Sequence, residues 1–157
     1  MFSWLRQWLD PGTPAAVEAV PAQGVNDAEP GELGGLDFRG AIHAHMRWKA
    51  RLRDVIEGTS KEAITPAVLA RDDQCPLGKW LHGEGLTQYG RHDLFRELTA
   101  HHAEFHLHAA SVLQLAHEGH AREATQALAR GPYVQSSARV SHLLARLFVQ
   151  LRGGSVH

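Results

Sequence analysis

Residues 94–116 read LFRELTAHHAEFHLHAASVLQLA. Leu94, Leu98, His102, Phe105, Ala109, Val112, Leu113 and Ala116 recur three or four residues apart, which is one stripe of an α-helix, and Gly119 closes it. A stripe facing a core should be apolar, yet two of these turns carry a histidine. The same pattern recurs on both sides. Upstream, Ile42, His45, Trp48, Leu52, Val55 and Ile56 form a stripe closed by Gly58. Between the two, Ser60 with Glu62 to Ala70, and then Cys75 to His82, read as short helices. Downstream, Arg122 to Ala129 opens a last helical region. It breaks at Gly131-Pro132 and resumes through Val140, Leu143, Leu144, Leu147, Phe148 and Leu151. No stretch alternates in the manner of a strand. The pattern predicts an all-α antiparallel four-helix bundle over residues 37–152, with an additional short helix carrying Cys75.

The N-terminal part differs. Residues 1–12, MFSWLRQWLDPG, place Phe2, Leu5, Trp8 and Leu9 at helical spacing before Asp10-Pro11-Gly12 ends the pattern. This amphipathic peptide reads either as a loose terminus or as a docking helix for a partner protein or a membrane surface. Residues 13–36 are rich in Pro, Gly, Ala and Glu without a sustained apolar period, the composition of a flexible linker.

Composition narrows the classes. The 157 residues carry a net charge of -1, so no basic field points to nucleic acid. A single cysteine makes no internal disulfide, and no secretory signal is visible, so a reducing cytoplasm is the expected compartment. No apolar run approaches the roughly 18–20 residues of a membrane span. The outlying figure is 12 histidines.

Three of those histidines stand on core stripes. His45 sits within the first, whereas His43 is turned roughly 200° away. His102 and His106, four residues apart, aim two imidazoles at one point, and His101 and His108 form a more exposed row beside them. Burying three imidazoles costs free energy unless each nitrogen finds a partner. Tetrahedral zinc is one solution, and hydrogen bonds to backbone or water are the other. The stretch DDQCPLGKWLHGEG (72–85) adds the lone thiol. Pro76 suits a first helical position, which puts Cys75 at the N-cap, where free amides and the helix dipole would stabilise a thiolate. A zinc ligand, a reactive thiol and an ordinary buried cysteine all fit that position. HAEFH (102–106) is not the metalloprotease H-E-x-x-H, because Glu104 falls two residues after His102 and on the far side of the helix. His82, His92, His117, His120, His142 and His157 read as solvated, and Lys49 and Lys79 as chains that snorkel at the edge.

Together, AIHAHMRWKARL (41–52), CPLGKWLHGEG (75–85), FRELTAHHAEFHLHAASV (95–112) and GPYVQSSARVSHLLARL (131–147) resemble the chemoreceptor zinc-binding (CZB) domain family. The resemblance implies one zinc ion per chain, held by His45, Cys75, His102 and His106, the residues to which the stripes and the lone thiol also point. It further implies zinc sensing or a response to oxidants in bacterial signal transduction, of the chemotaxis or cyclic-di-GMP type, and a capacity to dimerise. The Leu143, Leu144, Leu147 and Phe148 run is the candidate homodimer face. Family members usually carry this domain on a chemoreceptor or a diguanylate cyclase, and 36 preceding residues leave no room for either. The expectation is therefore a stand-alone cytoplasmic sensory or regulatory module that acts on a signalling protein in trans through its N-terminal helix. The alternative is an interaction scaffold whose zinc is purely structural. Four protein ligands leave no open position for a water nucleophile, so an enzyme is not expected.

Overall fold

The computed structural model describes residues 31–153. The N-terminal peptide and residues 13–30 of the expected linker lie outside the described residues. The chain opens with a two-stranded hairpin, β1 (Glu32–Leu33) and β2 (Leu36–Asp37), paired Glu32 to Asp37 and Leu33 to Leu36. Gly34 and Gly35 turn it at φ 59° and 82°, a left-handed conformation that glycine adopts without penalty. This pair of strands departs from the all-α expectation. Strands of two residues are too short to leave an alternating pattern, and the hairpin occupies the end of the stretch read as linker.

The remainder is helical: α1 (Phe38–Glu57), α2 (Pro66–Leu69), α3 (Pro76–His82), α4 (Glu84–Tyr89), α5 (Asp93–His117), α6 (Ala121–Arg130) and α7 (Pro132–Arg152). Local chemistry sets the ends. The Asp37 carboxylate accepts from the Gly40 N–H at 2.9 Å and starts α1, and Gly58 stops it at φ 74°. Thr65 caps α2 through Val68 N–H. Gly131 and Pro132 end α6 and start α7, because proline fits a first turn but not a helix interior. The break expected there is a junction between two helices. The four-residue α2 is shorter than the pattern suggested, and α4 left no readable stripe in six residues.

α1, α5, α6 and α7 each touch the other three, while α2 and α3 pack on α5. The core they enclose contains Phe38, Trp48, Leu52, Phe95, Leu98, Phe105, Leu113, Tyr133, Val140, Leu143, Leu144 and Leu147, all 2% exposed or less. Burying a large apolar side chain stabilises by about 1.5–3 kcal/mol, so this interior holds the helices that carry the histidines. Trp80 of α3 adds a tie to the hairpin, its indole N–H donating to the Gly34 carbonyl at 2.7 Å. No helix among the described residues is long and apolar enough to cross a membrane.

Candidate metal centre

His45, His102 and His106 are each 1% exposed or less, although imidazoles are polar. Their stripes put them there. α1 turns His45 inward on the face that also buries Ala41, Trp48 and Leu52. α5 turns His102 and His106 inward on the face that buries Leu98, Phe105 and Ala109. The fourth residue arrives from the loop before α3. Cys75 is the N-cap of that helix, as the Cys-Pro pair predicted, and the Gly78 N–H donates to its Sγ at 3.2 Å.

The four side chains converge. Cys75 Sγ lies 3.3 Å from His102 Nε2 and 3.7 Å from His106 Nε2, and the two Nε2 atoms are 3.1 Å apart. With His45 included, all four ligand atoms lie within 4.8 Å of one another. Zinc bonds of about 2.0–2.1 Å to nitrogen and about 2.3 Å to sulfur give tetrahedral edges of about 3.3 Å between nitrogens and about 3.6 Å between nitrogen and sulfur. The three separations among Cys75, His102 and His106 fall close to those edges.

Hydrogen bonding on the far side of two rings fixes which nitrogen faces the centre. His45 Nδ1–H donates to the Ala41 carbonyl at 2.8 Å, and His106 Nδ1–H donates to the Leu69 carbonyl at 2.7 Å. Each ring therefore presents an Nε2 lone pair inward, the arrangement that backbone acceptors impose on metal-bound histidines. His45 Nε2 is buried with no hydrogen-bond partner. A buried acceptor left so costs about 1–3 kcal/mol, which a cation at the centre would remove. The donor set thus fits a metal ion on the protein's own geometry. His102 is less well supported, since its Nδ1 is also buried without a partner.

Burial also sets the protonation. It lowers His45 to about 4, outweighing the bond to Ala41, and His106 adds a smaller push in the same direction. Burial holds His102 well below the usual imidazole range, with His45, His106 and His82 adding to the effect. It lowers His106 as well, against the Leu69 carbonyl and the carboxylates of Asp72 and Asp73. All three are neutral near pH 7, the ligand form of imidazole. The thiol departs from the sequence expectation. Gly78 and Leu77 N–H groups do favour a thiolate, but burial outweighs them and pushes Cys75 up to about 12, helped by the Asp72 charge. Without a cation the sulfur keeps its proton, so metal binding must release it.

Other residues that the sequence reading singled out stay apart from the centre. His101 Nδ1 pairs with Glu104 at 3.0 Å on the outer side of α5, and His108 Nδ1 meets Ser136 Oγ at 3.0 Å. His82, expected to be solvated, is half-exposed and pairs with Asp72 at 2.9 Å, bridging α3 to the Cys75 loop. Three contributors were missed. The carbonyls of Ala41 and Leu69 leave no trace in residue identity, because any side chain brings one. Gly78 does leave a signal: a Cβ there would lie 1.7 Å from the Asp72 carbonyl oxygen, so only glycine lets the Cys75 loop close on α3. A cleft of about 380 Å³ between the hairpin, α1 and α3 reaches His45 and Cys75 past Gly40, Ala41 and Ala44.

Residues 45–113 match the family model of the chemoreceptor zinc-binding domain. The matched stretch is somewhat less than half of the chain. It begins at His45 and contains all four converging residues. No curated protein and no solved structure matched the chain. The matched family is by its description a zinc-binding one, and the three-histidine, one-cysteine set found here could hold a metal ion.

Proposed function

We propose that this protein is a zinc-binding sensory or regulatory module of signal transduction, with one zinc held by His45, Cys75, His102 and His106. The carrying observation is the convergence of these four donors, with two imidazoles locked by backbone carbonyls so that Nε2 points inward. In this reading residues 37–152 form the functional unit, and α1, α5, α6 and α7 are the expected four-helix bundle.

The residues supply what a switch of this kind needs. α1, α5 and the Cys75 loop belong to separate parts of the fold, so a shared ion ties them together. Bound zinc would keep the Cys75 sulfur as thiolate, the form that oxidants attack and whose oxidation weakens ligation. The cleft beside Gly40 and Ala44 offers a path to that sulfur and to the metal. Release of the tie would change how α1 and the loop pack, and a partner protein would read the change. With all four positions taken by protein ligands, the site has regulation rather than hydrolysis as its natural use.

A second reading makes the zinc purely structural in an interaction scaffold. The burial of all four donors favours it, since water and chelators meet little of their surface. Elemental analysis of the full chain, purified without a histidine tag, tests both. About one zinc per monomer, lost from His102→Ala, supports the site. Retention under a moderate chelator supports the staple, and exchange supports the sensor. Well-folded wild-type protein that takes up no zinc would refute both.

A further inference from the structure

The surface of the bundle has a groove between α1 and α7 that the metal site does not use. Gly31, Phe38, Ile42, Ala145, Phe148 and Val149 line it, and its volume is about 260 Å³, room for one large aromatic side chain and a neighbour. The Phe38 and Phe148 rings meet 5.3 Å apart there, and Val149 on the wall is 70% exposed. A largely apolar recess, lined also by Arg39 and His43 and walled by an exposed valine, is the form of a docking surface.

We propose that residues 1–12 of the same chain fold back and seat their apolar face in this groove. The first ground is where the chain enters. Gly31, the first described residue, itself lines the groove, and its carbonyl accepts from the Phe38 N–H at 2.9 Å, so the point from which the N-terminal segment is tethered lies at the groove. The second is length. Eighteen residues, 13–30, separate the peptide from that rim, and a chain of their composition spans roughly 25 Å. A tethered segment at that range has an effective concentration of about millimolar, enough to fill a weak site. The third is chemical match. Phe2, Leu5, Trp8 and Leu9 stand at helical spacing in the sequence, and each aromatic side chain removes about 150–250 Å² from water when covered. Arg39 lies at the groove, and Asp10 follows those residues with the opposite charge. The inference is independent of the metal reading.

The test uses the full chain and two variants, Val149→Asp on the groove and Phe2→Asp on the peptide. Trypsin cleavage after Arg6, timed by mass spectrometry, reports how often the peptide is undocked, and the indole N–H resonances of Trp4 and Trp8 report its environment. A peptide docked about nine-tenths of the time is cut about tenfold more slowly in the wild type than in either variant. The indole resonances then move to unstructured positions in both variants. The protection should be unchanged on tenfold dilution. Equal cleavage in all three proteins overturns the proposal. Protection that fades on dilution assigns the groove to a second copy, and protection that needs phosphatidylglycerol vesicles assigns the peptide to a membrane surface; either overturns docking within the chain. Val149 is exposed, so its replacement should leave the far-ultraviolet circular dichroism unchanged. Val149→Ser repeats the test if it does not.

Discussion

α5 carries two rows of histidine that differ by a rotation of about a third of a turn. His102 and His106 are fully buried, face Cys75 and are held neutral by burial. His101 and His108, one residue before and two residues after them, reach Glu104 and Ser136 on the outer part of the helix. Composition, local propensity and backbone are the same for both rows. Only the angle around the axis differs, and it decides whether an imidazole is an ordinary polar surface group or one of four donors at a point. A count of 12 histidines therefore says little, and their phase relative to Leu98, Phe105 and Ala109 says most of what matters.

The largest expected difference between the rows is in metal binding. His102→Ala should abolish stoichiometric zinc, and with it the free energy of the bound ion, about 10–16 kcal/mol for structural sites at neutral pH. His101→Ala, one residue away, should keep the full complement of metal. Elemental analysis combined with thermal unfolding, with and without chelator, separates the two. Equal zinc in both variants would remove the distinction on which the site rests.

A second contrast appears in the metal-free protein as pH falls. The folded-state value of His45 is lowered to about 4 from the ordinary 6.5. Between those values the unfolded chain takes up a proton that the folded chain refuses, so stability rises with pH and is lost as pH falls from about 6.5 toward 4. For His45 alone the loss is about 3 kcal/mol across that window. His102 and His106 are lowered too and act in the same direction. Urea unfolding of the apoprotein at pH 7 and pH 4.5 measures the slope, and His45→Gln should make it shallower. A pH-independent apoprotein would mean that the inner row is not held dry.

Much of this was legible in the sequence, for identifiable reasons. The stripes through His45 and through His102 and His106 lie on long helices with many apolar neighbours, so phase could be read over several turns. Cys75 was placed at its N-cap by the proline that follows it. Short elements escaped: the hairpin at Gly34-Gly35 was absorbed into a Pro- and Gly-rich stretch, although a Gly-Gly pair between two leucines is a two-residue turn signal. The thiol's protonation could not be read because it depends on a balance. Capping amides are visible from Cys-Pro, whereas burial depends on α5 closing over the sulfur.

Gly78→Ala probes that closure without touching a donor. The added Cβ would meet the Asp72 carbonyl at 1.7 Å, a backbone atom that cannot swing aside, so the Cys75 loop must move outward. Overpacking of this kind costs about 1–3 kcal/mol, and here the displacement also pulls Sγ from the two Nε2 atoms. The variant should bind zinc more weakly while His45, His102 and His106 remain paired as before. Competition against a chromogenic chelator gives the affinity, and wild-type affinity would show that the loop position is not what assembles the centre.

The smallest effects belong to the outer row and calibrate all the others. His108→Ala removes a hydrogen bond to Ser136, whose Oγ also donates to the Pro132 carbonyl at 3.1 Å and keeps that partner. His101→Ala removes an exposed contact with Glu104. Exposed ion pairs and redundant hydrogen bonds contribute about 0–1 kcal/mol, so each variant should unfold within about 1 kcal/mol of wild type in urea. Neither should change the zinc content. A larger loss at His108 would mean that its bond to Ser136 ties α5 to α7 more firmly than one partly exposed contact should. The outer row would then serve the bundle, and the inner row the metal, on two sides of one helix.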